Sequence, residues 1–164
     1  MTDATIVKVG MADLNVATGG AVLRTTGLGS CVGLTLHDPL RQAAGMVHIM
    51  LPSSDIALEG AINPAKYADT AVPELLERVL RLGADRRRLV AKLAGGAQMF
   101  TFAGASDSLR IGPRNAESVK RELQRLNIPL IAEDTGGHHG RTIELDSASG
   151  VLTIRSVQYG VKEI

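Results

Sequence analysis

The 164 residues are expected to form a single domain spanning 1–164, because domains commonly hold about 100–200 residues, and the 45% hydrophobic content favours a packed globule over a disordered chain. Eighteen Lys and Arg residues against 17 Asp and Glu residues leave a net charge of +1, and only 2% of the residues are aromatic. This composition argues against nucleic-acid binding, which needs a basic surface and stacking side chains. No run approaches the ~20 apolar residues of a membrane-spanning helix, so direct membrane insertion is not expected.

The first third of the chain is predicted to form strands joined by short connections. The predicted strands cover 6–11, 21–26, 32–37 and 46–51, with a polar connection over 12–20 and a loop over 52–63. In 32–37 apolar residues alternate with small or polar ones, which is typical of a strand with one buried face. Since Asp38-Pro39 breaks this strand, 32–37 and 46–51 are predicted to pair as a hairpin.

The remainder of the chain combines helices and strands. A helix is predicted from Pro64 to about Leu82, with Gly83 as its end and Pro73 as a site for a kink or a restart. The other predicted elements are a strand over 89–93, a helix over 114–126, a strand over 128–132, and a hairpin of 141–145 with 151–157. Because strands outnumber helices and the hairpins imply antiparallel pairing, the pattern favours an α+β layered domain over a doubly wound parallel sheet.

The only cysteine, Cys31, directly precedes the first strand of the predicted hairpin, and His48 lies in the second strand. Strand alternation places the apolar residues of both strands on one shared core face: Val32, Leu34, Leu36, Val47, Ile49 and Leu51. Cys31 and His48 are therefore predicted to share the opposite face at the same end of the sheet. A lone thiol is also compatible with cytoplasmic location, because it cannot form an internal disulfide.

A thiol beside an imidazole can act as a nucleophile with a general acid and base. An imidazolium near Cys31 is expected to lower the thiol pKa, so that alkylation would reach its plateau well below pH 8. The residues alone leave Thr25 and Thr26 as candidates for the group that orients His48. Gly27 and Gly29 allow positive φ and close substrate approach, and the amides around Gly29, Ser30 and Cys31 are candidates for binding an oxyanion.

Several segments in order resemble the CheD family of chemoreceptor glutamine deamidases. They are Gly27-Leu28-Gly29-Ser30-Cys31-Val32, Asp38-Pro39, His48-Ile49-Met50-Leu51-Pro52, Lys66-Tyr67-Ala68-Asp69-Thr70-Ala71, Ala94-Gly95-Gly96-Ala97, Met99-Phe100, Ile111-Gly112, Arg114-Asn115 and Glu133-Asp134-Thr135-Gly136-Gly137. The resemblance covers most of the chain, so it is far more specific than a single motif.

The resemblance implies hydrolysis of glutamine side chains on methyl-accepting chemotaxis receptors to glutamate and ammonia. The family's Cys-His-Thr triad would correspond to Cys31, His48 and Thr25, because the family threonine precedes the cysteine by six positions. The implied fold is an α-β-β sandwich similar to glutamine-deamidating toxins, and neither a metal nor an organic cofactor is needed. Receptor methylesterase activity and binding of the CheC phosphatase are further implications.

Two alternatives to this chemistry are a non-catalytic adaptor that binds CheC or receptors, and a generic cysteine amidase or esterase. His138-His139 suggests a metal site, but adjacent histidines on a strand point apart and no second cluster has ligand spacing. The Gly95-Gly96 pair suggests a phosphate cradle, yet it lacks the Gly-Lys-Ser/Thr ending of a P-loop. The glycines are therefore interpreted as close-packing turns.

Overall fold

Ten strands and two α-helices form within the residues that the computed structural model describes, which are 5–57, 60–99 and 110–164. The strands are β1 Ile6–Lys8, β2 Leu14–Thr18, β3 Val22–Leu28, β4 Val32–Asp38, β5 Ala43–Ile49, β6 Val90–Gly95, β7 Leu130–Thr135, β8 Arg141–Asp146, β9 Leu152–Ser156 and β10 Gly160–Glu163. The helices are α1 Ala68–Arg81 and α2 Ile111–Arg125. Phe100 of the quoted motifs and residues 58 and 59 of the predicted loop lie outside the described residues.

The strands form two mixed sheets of five strands each. The inner sheet has the order β2-β5-β4-β6-β7, and the outer sheet has the order β1-β3-β8-β9-β10. Most neighbours are antiparallel, while β6 with β7 and β1 with β3 are parallel. Both helices pack on one face of the inner sheet and the outer sheet packs on its other face. The predicted α+β sandwich with α-β-β layers is confirmed.

Apolar side chains form one cluster on each side of the inner sheet. The helix-side cluster contains Val32, Leu34, Leu36, Val47 and Ile49 of the central strands together with the buried faces of α1 and α2. This confirms the predicted core face of the hairpin except for Leu51, which is only partly buried and lies beyond the end of β5 at Ile49. The prediction that 32–37 buries only one face is wrong, because all seven residues of β4 and all seven of β5 are buried. The second face is covered by the outer sheet.

Several elements differ from the sequence prediction, among them β2 and the start of α1. The predicted connection over 12–20 contains β2, which pairs antiparallel with β5 and buries Leu14 and Ala17. Helix α1 starts at Ala68, after a single 3₁₀ turn over Pro64–Lys66, and runs through Pro73 to Arg81. Gly83 follows with φ +108°, a left-handed conformation that ends a helix.

Neither α1 nor α2, nor any other helix in the described ranges, has the length and apolar character needed to cross a bilayer.

Candidate active site

Thr25 and His48 meet between the two sheets. Thr25 lies in β3 of the outer sheet and His48 in β5 of the inner sheet, and Thr25 Oγ1 is 2.7 Å from His48 Nδ1. Both side chains are buried, His48 completely. Thr26 is exposed, because the next residue of a strand points to the opposite face. Of the two candidate threonines, Thr25 is therefore the one that contacts His48.

Cys31 lies on the same face of the inner sheet as His48. The register pairs Gly33 with His48, so Cys31, two residues earlier, is one diagonal step from His48. Diagonal neighbours in an antiparallel pair are about 7–8 Å apart between Cα atoms. The Cys31 residue is 8% exposed and belongs to the apolar cluster between the sheets. The sequence prediction that the thiol and the imidazole share a face is confirmed.

The two ring nitrogens of His48 have different surroundings. Nδ1 contacts Thr25, whereas Nε2 is buried and has no hydrogen-bond partner among the described residues. Buried polar atoms are normally paired. An unpaired ring nitrogen on the sheet face that also holds a thiol is an atom that can accept or deliver a proton during a reaction.

Burial keeps both reactive groups neutral at rest. It raises the pKa of the Cys31 thiol, and a hydrogen bond from the main-chain amide of Cys31 itself offsets only part of this increase. Burial also lowers the pKa of His48. The expectation that an imidazolium lowers the thiol pKa is therefore wrong for the resting protein. Because desolvation disfavours every charged form, burial favours the thiol form of Cys31 and the uncharged form of His48.

The loop before Cys31 is held by a tight turn. Gly27 adopts a left-handed conformation with φ +72°, whereas Gly29 does not. The Gly29 amide donates to the Gly27 carbonyl at 3.1 Å. The Ser30 and Cys31 amides donate to no main-chain carbonyl in the described part of the chain. The Ser30 amide is therefore available to a ligand, and the Cys31 amide, which hydrogen-bonds its own sulfur, lies directly beside the thiol.

The Gly95-Gly96 turn packs directly against the main chain of Cys31. A Cβ atom on Gly95 would lie 2.3 Å from the Cys31 carbonyl oxygen. The Gly96 amide donates to that oxygen at 2.9 Å, and the Gly136 amide donates to the Gly95 carbonyl at 3.0 Å. The interpretation of these glycines as close-packing turns is confirmed, and the Gly136 segment supports them from behind.

Two buried polar residues near this loop were not assigned a role from the sequence. Arg141 donates to the Asp134 carboxylate at 3.1 Å and to the Gly136 carbonyl at 3.0 Å, and so fixes the segment behind Gly95. Asn115 of α2 contacts the main chain of Ser30 and Met50. Asn115 could have been recognised from its position four residues before the apolar Val119, because this spacing places both residues on the buried face of α2.

The adjacent histidines point in different directions. His138 donates from Nδ1 to the Gln98 carbonyl at 2.8 Å, and the His139 ring packs against Tyr159 with centroids 4.6 Å apart. His139 lines a groove of about 450 Å³ that also includes Gly27, Arg141 and Gln158. Cys31 is not among the residues that line this groove. In the described ranges, no three His, Cys, Asp or Glu side chains come together as metal ligands.

The chain is similar to proteins of bacterial chemotaxis. The family model described as CheD chemotactic sensory transduction matches residues 50–156, a stretch that begins after Thr25, Cys31 and His48 and includes Asn115. The protein named chemoreceptor glutamine deamidase CheD from Halalkalibacterium halodurans is 55% identical over 97% of this chain and 98% of its own length. The protein of the same name from Bacillus subtilis is 48% identical over 99% and 98%. A probable chemoreceptor glutamine deamidase from Geobacillus kaustophilus is 52% identical over the full length of both chains.

Proposed function

The chain belongs to the CheD family of chemotactic sensory transduction proteins, and on that premise we propose that it hydrolyses glutamine side chains of chemoreceptors with Cys31 as nucleophile. His48 is the general base and acid, and Thr25 orients it. The observation that carries this proposal is the buried 2.7 Å contact between Thr25 and His48 Nδ1, because it leaves Nε2 unpaired on the face that also holds the thiol.

The first half of the reaction forms a thioester. His48 Nε2 takes the thiol proton as the sulfur attacks the glutamine Cδ, and the carbonyl π electrons move to oxygen. The tetrahedral intermediate then collapses and its C–N bond breaks. The nitrogen takes the proton from His48 and leaves as ammonia. Because both groups are neutral at rest, no stable ion pair precedes this step.

The second half releases the product. His48 Nε2 takes a proton from water as the water oxygen attacks the thioester carbon. The C–S bond breaks, the sulfur recovers the proton from His48, and a glutamate side chain is released. The net change is amide plus water to acid plus ammonia, with no oxidant or reductant.

The Thr25 hydroxyl can accept a hydrogen bond from the tautomer of His48 that this chemistry needs. Nε2 can act as a base only when the ring proton is on Nδ1. In that tautomer Nδ1–H donates to Thr25 Oγ1 over the observed 2.7 Å. A hydroxyl stabilises the transient imidazolium less than a carboxylate would, which agrees with a site that is uncharged between turnovers.

The oxyanion needs donors close to the sulfur. The Ser30 and Cys31 amides are the candidates, since neither donates to the described main chain, whereas the Gly29 amide is already bound to Gly27. Gly29 then contributes close approach rather than a donor. A side chain at position 29 would also meet Met99, whose Cγ would be 3.2 Å from the added Cβ.

A second candidate function is an adaptor that binds receptors or the CheC phosphatase without catalysis. The observation that favours it is the burial of Cys31 and His48, together with the raised thiol pKa.

Methyl esters are a further substrate class for the same thioester chemistry, with methanol replacing ammonia as the leaving group.

Incubation of a purified chemoreceptor cytoplasmic fragment with the protein, followed by peptide mass spectrometry and ammonia detection, tests the proposal. We expect specific glutamines to become glutamate with one ammonia released for each conversion. A methylated fragment in the same assay reports methanol release. A folded protein that binds the fragment and converts no glutamine would support the adaptor and contradict the deamidase.

A further inference from the structure

Asn115 is a buried amide that joins the nucleophile loop to the end of the histidine strand. Its Nδ2 donates to the Ser30 carbonyl at 2.9 Å and to the Met50 carbonyl at 3.0 Å. Ser30 directly precedes Cys31, and Met50 lies two residues after His48. Asn115 is therefore connected to both parts of the proposed site through main-chain atoms.

The Asn115 side chain is not optimised for stability. The residue is fully buried, and its Oδ1 has no hydrogen-bond partner among the described residues. A buried acceptor without a partner costs free energy. Where a fold retains such a cost, the residue commonly serves function.

The Ser30 contact determines the direction of the Cys31 amide. The Ser30 carbonyl and the Cys31 N–H belong to one peptide group, which is trans because the described chain contains no cis peptide bond. In a trans peptide the C=O and N–H bonds point in opposite directions. When Asn115 holds the carbonyl from the helix side, the Cys31 N–H points away from the helix.

Three consecutive carbonyls of the loop accept hydrogen bonds, and among the contacts of the described residues one of the three comes from a side chain. The Gly29 carbonyl accepts from the Ala97 amide and the Cys31 carbonyl accepts from the Gly96 amide, each at 2.9 Å. The Ser30 carbonyl between them accepts from Asn115. A substitution at Asn115 is therefore the direct way to release this one peptide while its two neighbours stay fixed.

We propose that Asn115 is a positioning residue for deamidation: it fixes the Ser30–Cys31 peptide so that the Cys31 amide faces the oxyanion formed at the glutamine carbonyl. The inference rests on the proposed function. An amide donor that is correctly aimed before the reaction stabilises the developing charge without reorganisation. Asn115 thus acts through Cys31 and does not touch the substrate.

The test separates positioning of the amide from reactivity of the thiol. Asn115→Leu keeps a similar shape and removes both donors, Asn115→Ala removes the side chain, and Val119→Ala is the control that weakens α2 packing away from the loop. For each variant, kcat and KM are measured on the receptor fragment, and alkylation by iodoacetamide is followed. Because Cys31 is the only cysteine, alkylation reports on this thiol alone.

Both Asn115 variants are expected to lose roughly ten- to hundredfold in kcat, because a misdirected oxyanion donor weakens transition-state binding. KM and the alkylation rate should stay within about threefold of the wild type, since neither depends on an oxyanion. Val119→Ala should keep its kcat within about twofold despite a lower melting temperature.

Several outcomes would overturn the inference. They are an unchanged kcat in the Asn115 variants, an alkylation rate that falls in parallel with kcat, an equal loss in Val119→Ala, or unfolding of both Asn115 variants. A wild-type protein that is alkylated but converts no glutamine refutes the proposed function itself, and this inference with it.

Discussion

At the scale of single residues, burial favours the neutral forms of Cys31 and His48 over an ion pair, and the proposed mechanism starts from these neutral forms. Burial raises the pKa of Cys31 and lowers that of His48. Both shifts favour the protonated thiol and the uncharged imidazole. General-base attack is efficient in such a site because the proton moves only when the new bond forms.

The pH dependence of Cys31 alkylation tests this resting state. Because only the thiolate reacts and the thiol pKa is raised, the rate should continue to rise above pH 8.5 without a plateau. His48→Ala should leave this profile nearly unchanged, and the unfolded protein in urea should show an ordinary thiol profile as control. A plateau well below pH 8 that disappears in His48→Ala would instead demonstrate a thiolate–imidazolium pair.

Substitution at Thr25 tests how His48 is oriented. Thr25→Val keeps the shape and removes the hydroxyl, so kcat on the receptor fragment should fall roughly ten- to hundredfold. Thr25→Ser, which retains the hydroxyl, should recover most of the activity. Thr26→Val is the matched control on the exposed face of the same strand. Equal losses in the two valine variants would refute a specific role for Thr25.

At the scale of elements, Asp38 connects the end of β4 to the segment after α1 through hydrogen bonds and an ion pair. Its carboxylate accepts from Arg88 Nε and Nη2, both at 2.9 Å, and from the Asp85 amide at 2.8 Å. Burial alone would raise the pKa of Asp38, but these donors outweigh it and hold the pKa well below its usual range. A charged group therefore stabilises the hairpin that carries Cys31 and His48.

Asp38→Asn should lower the free energy of unfolding at pH 7 by on the order of 2 kcal/mol, because the charge-assisted hydrogen bonds are lost. A depressed folded-state pKa contributes stability above the unfolded value of about 3.9 and loses it as pH falls further. The difference between wild type and variant should therefore shrink below about pH 4 in urea titrations. Arg87→Ala, an exposed neighbour, serves as control. A difference independent of pH would contradict the ionic role.

The alternation of apolar residues explains which elements could be predicted from the sequence. Val32, Leu34 and Leu36 occupy every second position of β4, so the core face of the hairpin could be predicted from this alternation. The opposite face contains Cys31, Gly33 and His48, whose small or polar character is typical of a solvent face. Its burial depends on outer-sheet strands that come from distant parts of the chain. Strand β10 was missed because all four of its residues are exposed and show no pattern.

At the scale of the whole molecule, the site exists only where the two sheets approach each other. Thr25 and His48 come from different sheets. Beside them, Gly33 leaves room for the outer sheet: a Cβ atom at this position would lie 2.5 Å from Ile143 Cδ1. The missing side chain thus leaves room for Ile143 where β4 faces the outer sheet. Residue patterns indicated Cys31 and His48, and the family resemblance indicated Thr25, whereas the approach of the two sheets depends on long-range packing.

Gly33→Ala should therefore destabilise the protein by about 1–3 kcal/mol through overpacking, and reduce deamidation by separating Thr25 from His48. Ile143→Val removes the opposing Cδ1, so the double variant should regain stability relative to Gly33→Ala. Melting temperatures and activities of the four proteins in this cycle measure the effect. Additive losses in the double variant would mean that the predicted contact does not set the sheet spacing.

The claim that Cys31 forms the acyl intermediate is tested most directly by comparing Cys31→Ala with the wild type on the same receptor fragment. Glutamine conversion is followed by mass spectrometry, and the acid-quenched wild type is searched for a hydroxylamine-sensitive adduct on Cys31. We expect glutamate and the adduct with the wild type, and neither with a Cys31→Ala protein whose melting temperature is unchanged. Conversion of glutamine at the wild-type rate by Cys31→Ala would contradict the account.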